Sequence, residues 1–171
     1  MDDFSIIIRC KNEERWIGHT IQSCLDFINK PEIIIVDNFS SDNSKQIIRY
    51  FAHDTSLPSS HKYCDINIVN IDEYTPGKSI NLGVSKSTRN NILIISSHCV
   101  LTRFDPKYII EKLTDFCCIF GNQEPIYNGK RITKRYIWSH FKDEPITNMF
   151  SSFEDRYFMH NALSCFKKET L

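Results

Sequence analysis

No apolar run in this 171-residue chain reaches the ~20 residues that a membrane-spanning helix needs. Neither sign of charge is in excess: 21 Lys and Arg stand against 21 Asp and Glu, so nothing points to a nucleic-acid or membrane-surface partner. The N-terminus, Met1-Asp2-Asp3, is acidic and leads straight into a strand, unlike a signal peptide. The seven cysteines (10, 24, 64, 99, 117, 118 and 165) include no C-x-x-C pair and no paired metal spacing. Free, mostly buried thiols in a reducing cytoplasm are the expectation, with neither a disulfide framework nor a zinc site. A dinucleotide G-x-G-x-x-G is missing after the first strand, and Gly77-Lys78-Ser79 lacks the upstream glycine of a phosphate loop. G-x-S-x-G and H-E-x-x-H are also missing. The segment from Arg9 to Glu14 contains no glycine, which argues against a nucleotidyltransferase loop. There is no internal repeat, low-complexity tract or linker.

What is present is a β-α alternation. Ile33 to Val36 is a continuous β-rich apolar run, the pattern of a strand buried on both faces in a parallel sheet. It stops at Asp37, and Asn38 to Ser44 carries turn and cap chemistry. A carboxylate there faces the crevice where open α/β sheets bind ligands, which makes Asp37 and Asp42 site candidates. A strand-end Asp that caps the following helix explains Asp37 equally well.

Phe4 to Ile8 reads as the first strand. Ile17, Ile21, Cys24, Leu25 and Ile28 then mark one face of a helix. Ile47, Ile48 and Phe51 mark a second helix, entered through Ser41-Asp42-Asn43-Ser44. Asp54 to Tyr63 reads as a loop and Asp65 to Ile71 as a third strand. Thr75-Pro76-Gly77 opens a third helix with Pro at its first position, and Asn91 to Ile95 is a fourth strand. This order demands a parallel sheet with right-handed crossovers. Beyond residue 101 the alternation breaks down: a helix over Pro106 to Phe116, a strand over Cys117 to Phe120, an irregular excursion from Tyr127 to Phe153, and a partly strand-like Tyr157 to Phe166. One domain spans 1–171, with 1–101 as a ligand-binding half. Its strand ends gather Arg9 to Glu14, Asp37 to Asp42, Tyr74 to Lys78 and Ser96 to His98, a set suited to a phosphorylated, hydroxyl-rich ligand.

Six blocks in order carry a resemblance over nearly the whole chain: Ser5-Ile-Ile-Ile-Arg-Cys-Lys-Asn-Glu-Glu14, Ile33-Ile-Ile-Val-Asp-Asn-Phe-Ser-Ser-Asp42, Pro76-Gly-Lys-Ser-Ile-Asn-Leu-Gly83, Ser96-Ser-His-Cys99, Gly121-Asn-Gln-Glu-Pro125 and His160-Asn-Ala-Leu-Ser-Cys-Phe-Lys-Lys168. The chain resembles the inverting, family 2 nucleotide-sugar glycosyltransferases of GT-A fold, and within them a rhamnosyltransferase-like branch. The resemblance implies an α/β, Rossmann-like, mostly parallel sheet flanked by helices, with residues 102–171 opening an acceptor half whose C-terminal part is incomplete. It implies transfer of a sugar from a nucleotide-sugar donor to a saccharide or lipid-linked acceptor, in surface polysaccharide biosynthesis. The alternative is a catalytically incomplete nucleotide-sugar-binding fragment that works only with a partner chain; the partner expected in either case is a second polypeptide or a homo-oligomer.

By the same resemblance Lys11, Asn12, Glu13 and Asp37 would hold the nucleotide base, Asp37 by accepting from a ring N–H. Lys78 and Asn81 would contact phosphates or ribose; as plain surface residues they would be a solvated first-turn lysine and helix-surface polarity. Most relatives end the fourth strand with Asp-x-Asp, whose second carboxylate binds a divalent metal. Here Ser96 and His98 stand at those positions, Ser96 on the nucleotide-sugar side and His98 as the metal ligand. Imidazole suits Mn²⁺ better than Mg²⁺. The family's catalytic base is an acidic residue in a motif downstream of the His-Asn-Ala segment, so it would fall beyond Leu171. Asp155 and Glu154, upstream of His160, are the fallback and read otherwise as loop charges.

Overall fold

The computed structural model describes residues 2–52, 65–131, 144–151, 155–157 and 159–171. The predicted loop over Asp54 to Tyr63, Cys64, Glu154 and part of the 127–153 excursion lie outside the described residues. The elements, in order, are β1 (Phe4–Cys10), α1 (Ile17–Phe27), β2 (Glu32–Asp37), α2 (Ser44–Phe51), β3 (Asp65–Asn70), α3 (Pro76–Lys86), β4 (Asn91–Ser96), α4 (Pro106–Lys112), β5 (Cys118–Phe120), β6 (Ile126–Tyr127), β7 (Lys130–Arg131), β8 (Phe150–Ser151), β9 (Arg156–Tyr157) and β10 (Leu163–Lys167). A 3-10 turn over Lys168–Thr170 follows.

The six-stranded sheet has the order β3-β2-β1-β4-β10-β5. β1 runs parallel to β2 and β4, and β2 parallel to β3. β10 is antiparallel to both β4 and β5. The β-α alternation up to residue 96 is therefore as expected from the apolar runs. Two boundaries differ by more than one residue. β1 continues through Arg9 and Cys10, because Arg9 keeps ladder partners on β2 and β4 and Cys10 keeps Asp37 on β2. α4 stops at Lys112 rather than Phe116, closing into a turn stabilised by Thr114 N–H to Glu111 O and Asp115 N–H to Lys112 O. Among the described residues two small ribbons, β6–β7 and β8–β9, bracket the excursion.

Alternation along the central strands divides the core between the faces of the sheet. Ile6, Ile8, Ile33, Ile35, Leu93 and Ile95 pack with α1 residues Ile17, Ile21 and Cys24. Ile7, Ile34, Val36, Ile92 and Ile94 pack on the other face with Ile80, Leu82 and Val84 of α3. All eleven of these strand residues are buried, as a sheet covered on both faces requires. α3 starts as predicted: Pro76 takes the first turn and the Thr75 side chain accepts from Lys78 N–H.

At the amino end of the strands, buried Glu32 accepts from the Ser5 hydroxyl and from the Thr88 amide (2.8 Å) and hydroxyl (3.0 Å). That latch joins β1, β2 and the end of α3 at the edge of the sheet opposite the crevice. Among the described residues no helix is long and apolar enough to cross a membrane.

Candidate nucleotide crevice

The crevice lies at the carboxyl ends of β1, β2 and β4, beside the start of β10. Its rim is made by two turns that hold each other. Asn12 sits in the left-handed region (φ 54°), which asparagine tolerates better than most residues. In that conformation its Oδ1 accepts from Ser41 N–H at 2.8 Å, and its own N–H donates to Ser40 Oγ at 2.9 Å. Glu13 N–H donates to Ser44 Oγ (2.7 Å) and Glu14 N–H to Asp42 Oδ2 (2.9 Å). Glu14 answers by accepting from the Asn43 amide and side chain. Lys11 Nζ donates to the Asn38 and Phe39 carbonyls.

Asp37 forms the floor. Its side chain is fully buried and accepts from Ser40 N–H (3.0 Å), Ser40 Oγ (2.5 Å) and Lys45 Nζ (3.1 Å). The carboxylate thus holds the turn after β2 and is not the N-cap of α2, a place taken by Asn43. A carboxylate offers about four acceptor directions, so three bonds leave capacity for another donor.

Asp42 is a clamp between turns. Burial alone would raise its pKa, but hydrogen bonds from the Ser44 hydroxyl and the Glu14 and Ser44 amides outweigh this and hold it below the usual carboxylate range. Cys10 lies beside Asp37 and Ser40; burial foremost pushes its thiol up to about 11, so it is no nucleophile at neutral pH. None of the described cysteines forms a disulfide; Cys10, Cys24 and Cys165 are buried, while Cys117 is exposed.

Ser96 closes β4, its N–H donating to Ala162 O at 3.0 Å. His98 follows in a turn tied to α1 by Thr20 Oγ1 donating to Ser97 O (2.7 Å). Its exposed ring crosses to the β1 turn, with Nδ1 3.3 Å from Glu13 Oε1. Lys11, Asn12, Glu13, Asp37, Ser96 and His98 are therefore gathered at the strand ends. Lys78 is half-exposed and paired with Glu73 at 2.6 Å, the solvated first-turn lysine, and Asn81 is exposed on α3. Asp155 is exposed in the β8–β9 ribbon with φ 50°, as a loop charge would be.

A divalent cation at this rim would meet two protein donors. His98 and Glu13 offer one nitrogen and one oxygen, but among the described residues no group of three His, Cys, Asp or Glu could hold a metal ion. The pair fits a cation that takes most of its ligands from a bound diphosphate, and does not fit an all-protein cage.

Sequence reasoning missed Ser40, Ser44 and Lys45, which fix Asp37 and the β1 turn; serines in a turn give no local sign of the bonds they make across it. It also missed Phe39, an exposed aromatic in the left-handed region (φ 48°) whose ring lies 5.9 Å from Lys45 Nζ. On the β10 side, His160 Nδ1 accepts from Ala162 N–H and lies 3.0 Å from Gln123 Nε2. Burial lowers its pKa.

Comparison with known proteins accords with this geometry. The chain is similar in fold to S. aureus TarS 1–349 in complex with UDP-GlcNAc, at 15% identity and TM-score 0.64, over 97% of this chain and 45% of that one. The longer S. aureus TarS gives 16% identity and TM-score 0.66 over 97% and 28%. The mannosyltransferase PcManGT from Pyrobaculum calidifontis, in complex with GDP-Man and Mn²⁺, gives 16% identity and TM-score 0.51 over 59% and 29%. The chain thus spans less than half the length of each. No curated protein matches it. The family model for glycosyl transferase family 2 matches residues 5–170, and the chain belongs to that family.

Proposed function

We propose that this chain takes part in transferring a sugar from a nucleotide-sugar donor to a saccharide or lipid-linked acceptor, with the inversion typical of its family. The observation that carries the reading is the pair of interlocked turns, which set Lys11, Asn12, Glu13 and the fully buried Asp37 at the crevice beside Ser96 and His98. In this reading the base lies against the β1 and β2 turns, with the remaining acceptor capacity of Asp37 directed to a ring N–H. Lys78 and Asn81 meet the phosphates or ribose after Lys78 leaves Glu73, an exposed pair that costs little to break. Residues 1–101 form the donor half, and residues 102–171 begin the acceptor half. The rhamnosyltransferase-like branch, a role in surface polysaccharide assembly and a cytoplasmic location belong to the same proposal.

Enzymes of this fold often use a divalent metal. Bound, such an ion acts as a Lewis acid toward the leaving diphosphate. Glu13 and His98 would hold it, and an N,O pair favours Mn²⁺ over Mg²⁺. Deprotonating the acceptor hydroxyl needs a general base, and Asp155, exposed in the β8–β9 ribbon, has no feature that marks it as one. The alternative of a fragment dependent on a partner chain finds no support in the fold. Calorimetric titration with nucleoside diphosphates and their sugars tests the reading. It predicts saturable binding of one nucleotide type to a single site; no binding by any would overturn it.

A further inference from the structure

Arg9, near the end of β1, is used by none of these roles. Along β1, Ser5, Ile7 and Arg9 share a face. Ser5 bonds to Glu32 and Ile7 packs with Ile34, Val36 and Ile94, so Arg9 lies on the α3 side. There it pairs in register with Val36 on one neighbour and Ser96 on the other. A Cβ placed on Gly83 would lie 2.5 Å from Ile7 Cγ2, which fixes the level of α3 against β1. Two strand residues rise about as far as four helical ones, ~6 Å. Arg9 therefore lies level with Ser79, at the first turn of α3.

The Arg9 side chain is half-buried, and its Nε is buried without a hydrogen-bond partner. Arg9 also enters no ion pair among the described residues. A guanidinium stays charged at any ordinary pH, and an unpaired buried donor on a charged group is costly. Arg89 Nε is likewise unpartnered, but it stands at the amino end of the strands beside Ser5, far from the crevice. The neighbour of Arg9 decides the matter. An aspartate at position 96, as in chains ending this strand with Asp-x-Asp, would stand one strand spacing from Arg9 and pair with it. Serine leaves the guanidinium unquenched.

We propose that Arg9 binds the diphosphate of the donor directly, supplying by a fixed guanidinium the positive charge for which the missing carboxylates would have recruited a cation. This rests on the donor-site reading above. The planar fork suits two phosphate oxygens at once. Diphosphate affinity should then persist without any divalent ion, and a cation at His98 and Glu13 would add only an increment.

The test is calorimetry in chelator with UDP, GDP and dTDP, their nucleosides, and inorganic pyrophosphate, on wild type, Arg9→Gln and Arg9→Lys. Wild type should bind a diphosphate more tightly than its nucleoside. Arg9→Gln should weaken the diphosphate by about tenfold or more while leaving the nucleoside unchanged. Arg9→Lys should recover part of the loss, because a point charge lacks the fork. Equal diphosphate binding by wild type and Arg9→Gln, or diphosphate binding only with Mn²⁺, would overturn the proposal. Equal losses of nucleoside and diphosphate in both variants would overturn it too, since Arg9 would then be supporting the fold. If no nucleotide binds wild type, the donor-site reading fails. Pyrophosphate binding that depends on Arg9, or its absence, then decides the anion site.

Discussion

His98 Nδ1 lies 3.3 Å from Glu13 Oε1, joining the turn after β4 to the turn after β1. One imidazole nitrogen and one carboxylate oxygen make a donor set softer than two aspartates. Any enhancement of diphosphate binding by a divalent ion should be larger with Mn²⁺ than with Mg²⁺, and His98→Ala should abolish the difference. Titration in each ion and in chelator reads this. Equal enhancement by both ions, unchanged in His98→Ala, would remove His98 from the site.

Gly83 is set by packing rather than by backbone conformation. In an open helix, alanine would be favoured over glycine by about 1 kcal/mol. Here the added Cβ meets Ile7 Cγ2 at 2.5 Å, and Ile7 is fully buried in the centre of the sheet. Gly83→Ala should therefore destabilise the protein by about 1–3 kcal/mol, the usual range for overpacking. Urea unfolding measures it, and a gain in stability would show that α3 moves off β1 freely.

Asp42 ties the two turns. Because its folded pKa is lowered, its contribution to stability is complete above the ordinary carboxylate range and is lost as pH falls through the lowered value. Asp42→Ala should cost about 1 kcal/mol at pH 7, as loss of a capping carboxylate does. The gap to wild type should close in strong acid. Denaturant midpoints at the two pH values test this, and a gap that stays constant would contradict it.

His160 carries the same sign in a higher pH range. Burial lowers its pKa, and its Nδ1 accepts the Ala162 amide, which requires the neutral ring. The unfolded chain takes up the proton first, so stability should fall as pH drops below the ordinary histidine value near 6.5. His160→Gln should flatten that slope between about pH 7 and pH 5. Thermal unfolding across this range is the measurement, and an unchanged slope would mean the histidine is not responsible.

The order of elements was legible because Ile33 to Val36 and Ile92 to Ile95 are continuous apolar runs separated by helical periods, and because Pro76 marks a helix entry. The place of Leu163–Lys167 was not. Its insertion antiparallel between β4 and β5 is set by pairing with Ile95 and Phe120, partners far apart in the chain. Of the site, the turn residues were visible as polar breaks after apolar strands. The interlock of Asn12 with Ser40 and Ser41, the Lys45–Asp37 pair and the approach of His98 to Glu13 were not, since each joins segments that only the folded sheet brings together. Arg9 was hidden for a related reason: its importance depends on the residue beside it on β4.

Asp37 carries the central claim, and nucleotide titration of wild type beside Asp37→Ala and Ser40→Ala tests it most directly. Ser40→Ala removes one of the carboxylate's three contacts, the hydroxyl, while the Ser40 amide and Lys45 still hold it. Wild type and Ser40→Ala should bind a nucleoside diphosphate in the crevice. Asp37→Ala should bind it tenfold or more weakly, the loss of one charged hydrogen bond being worth about 1.5–3 kcal/mol. Equal binding by wild type and Asp37→Ala would contradict the account.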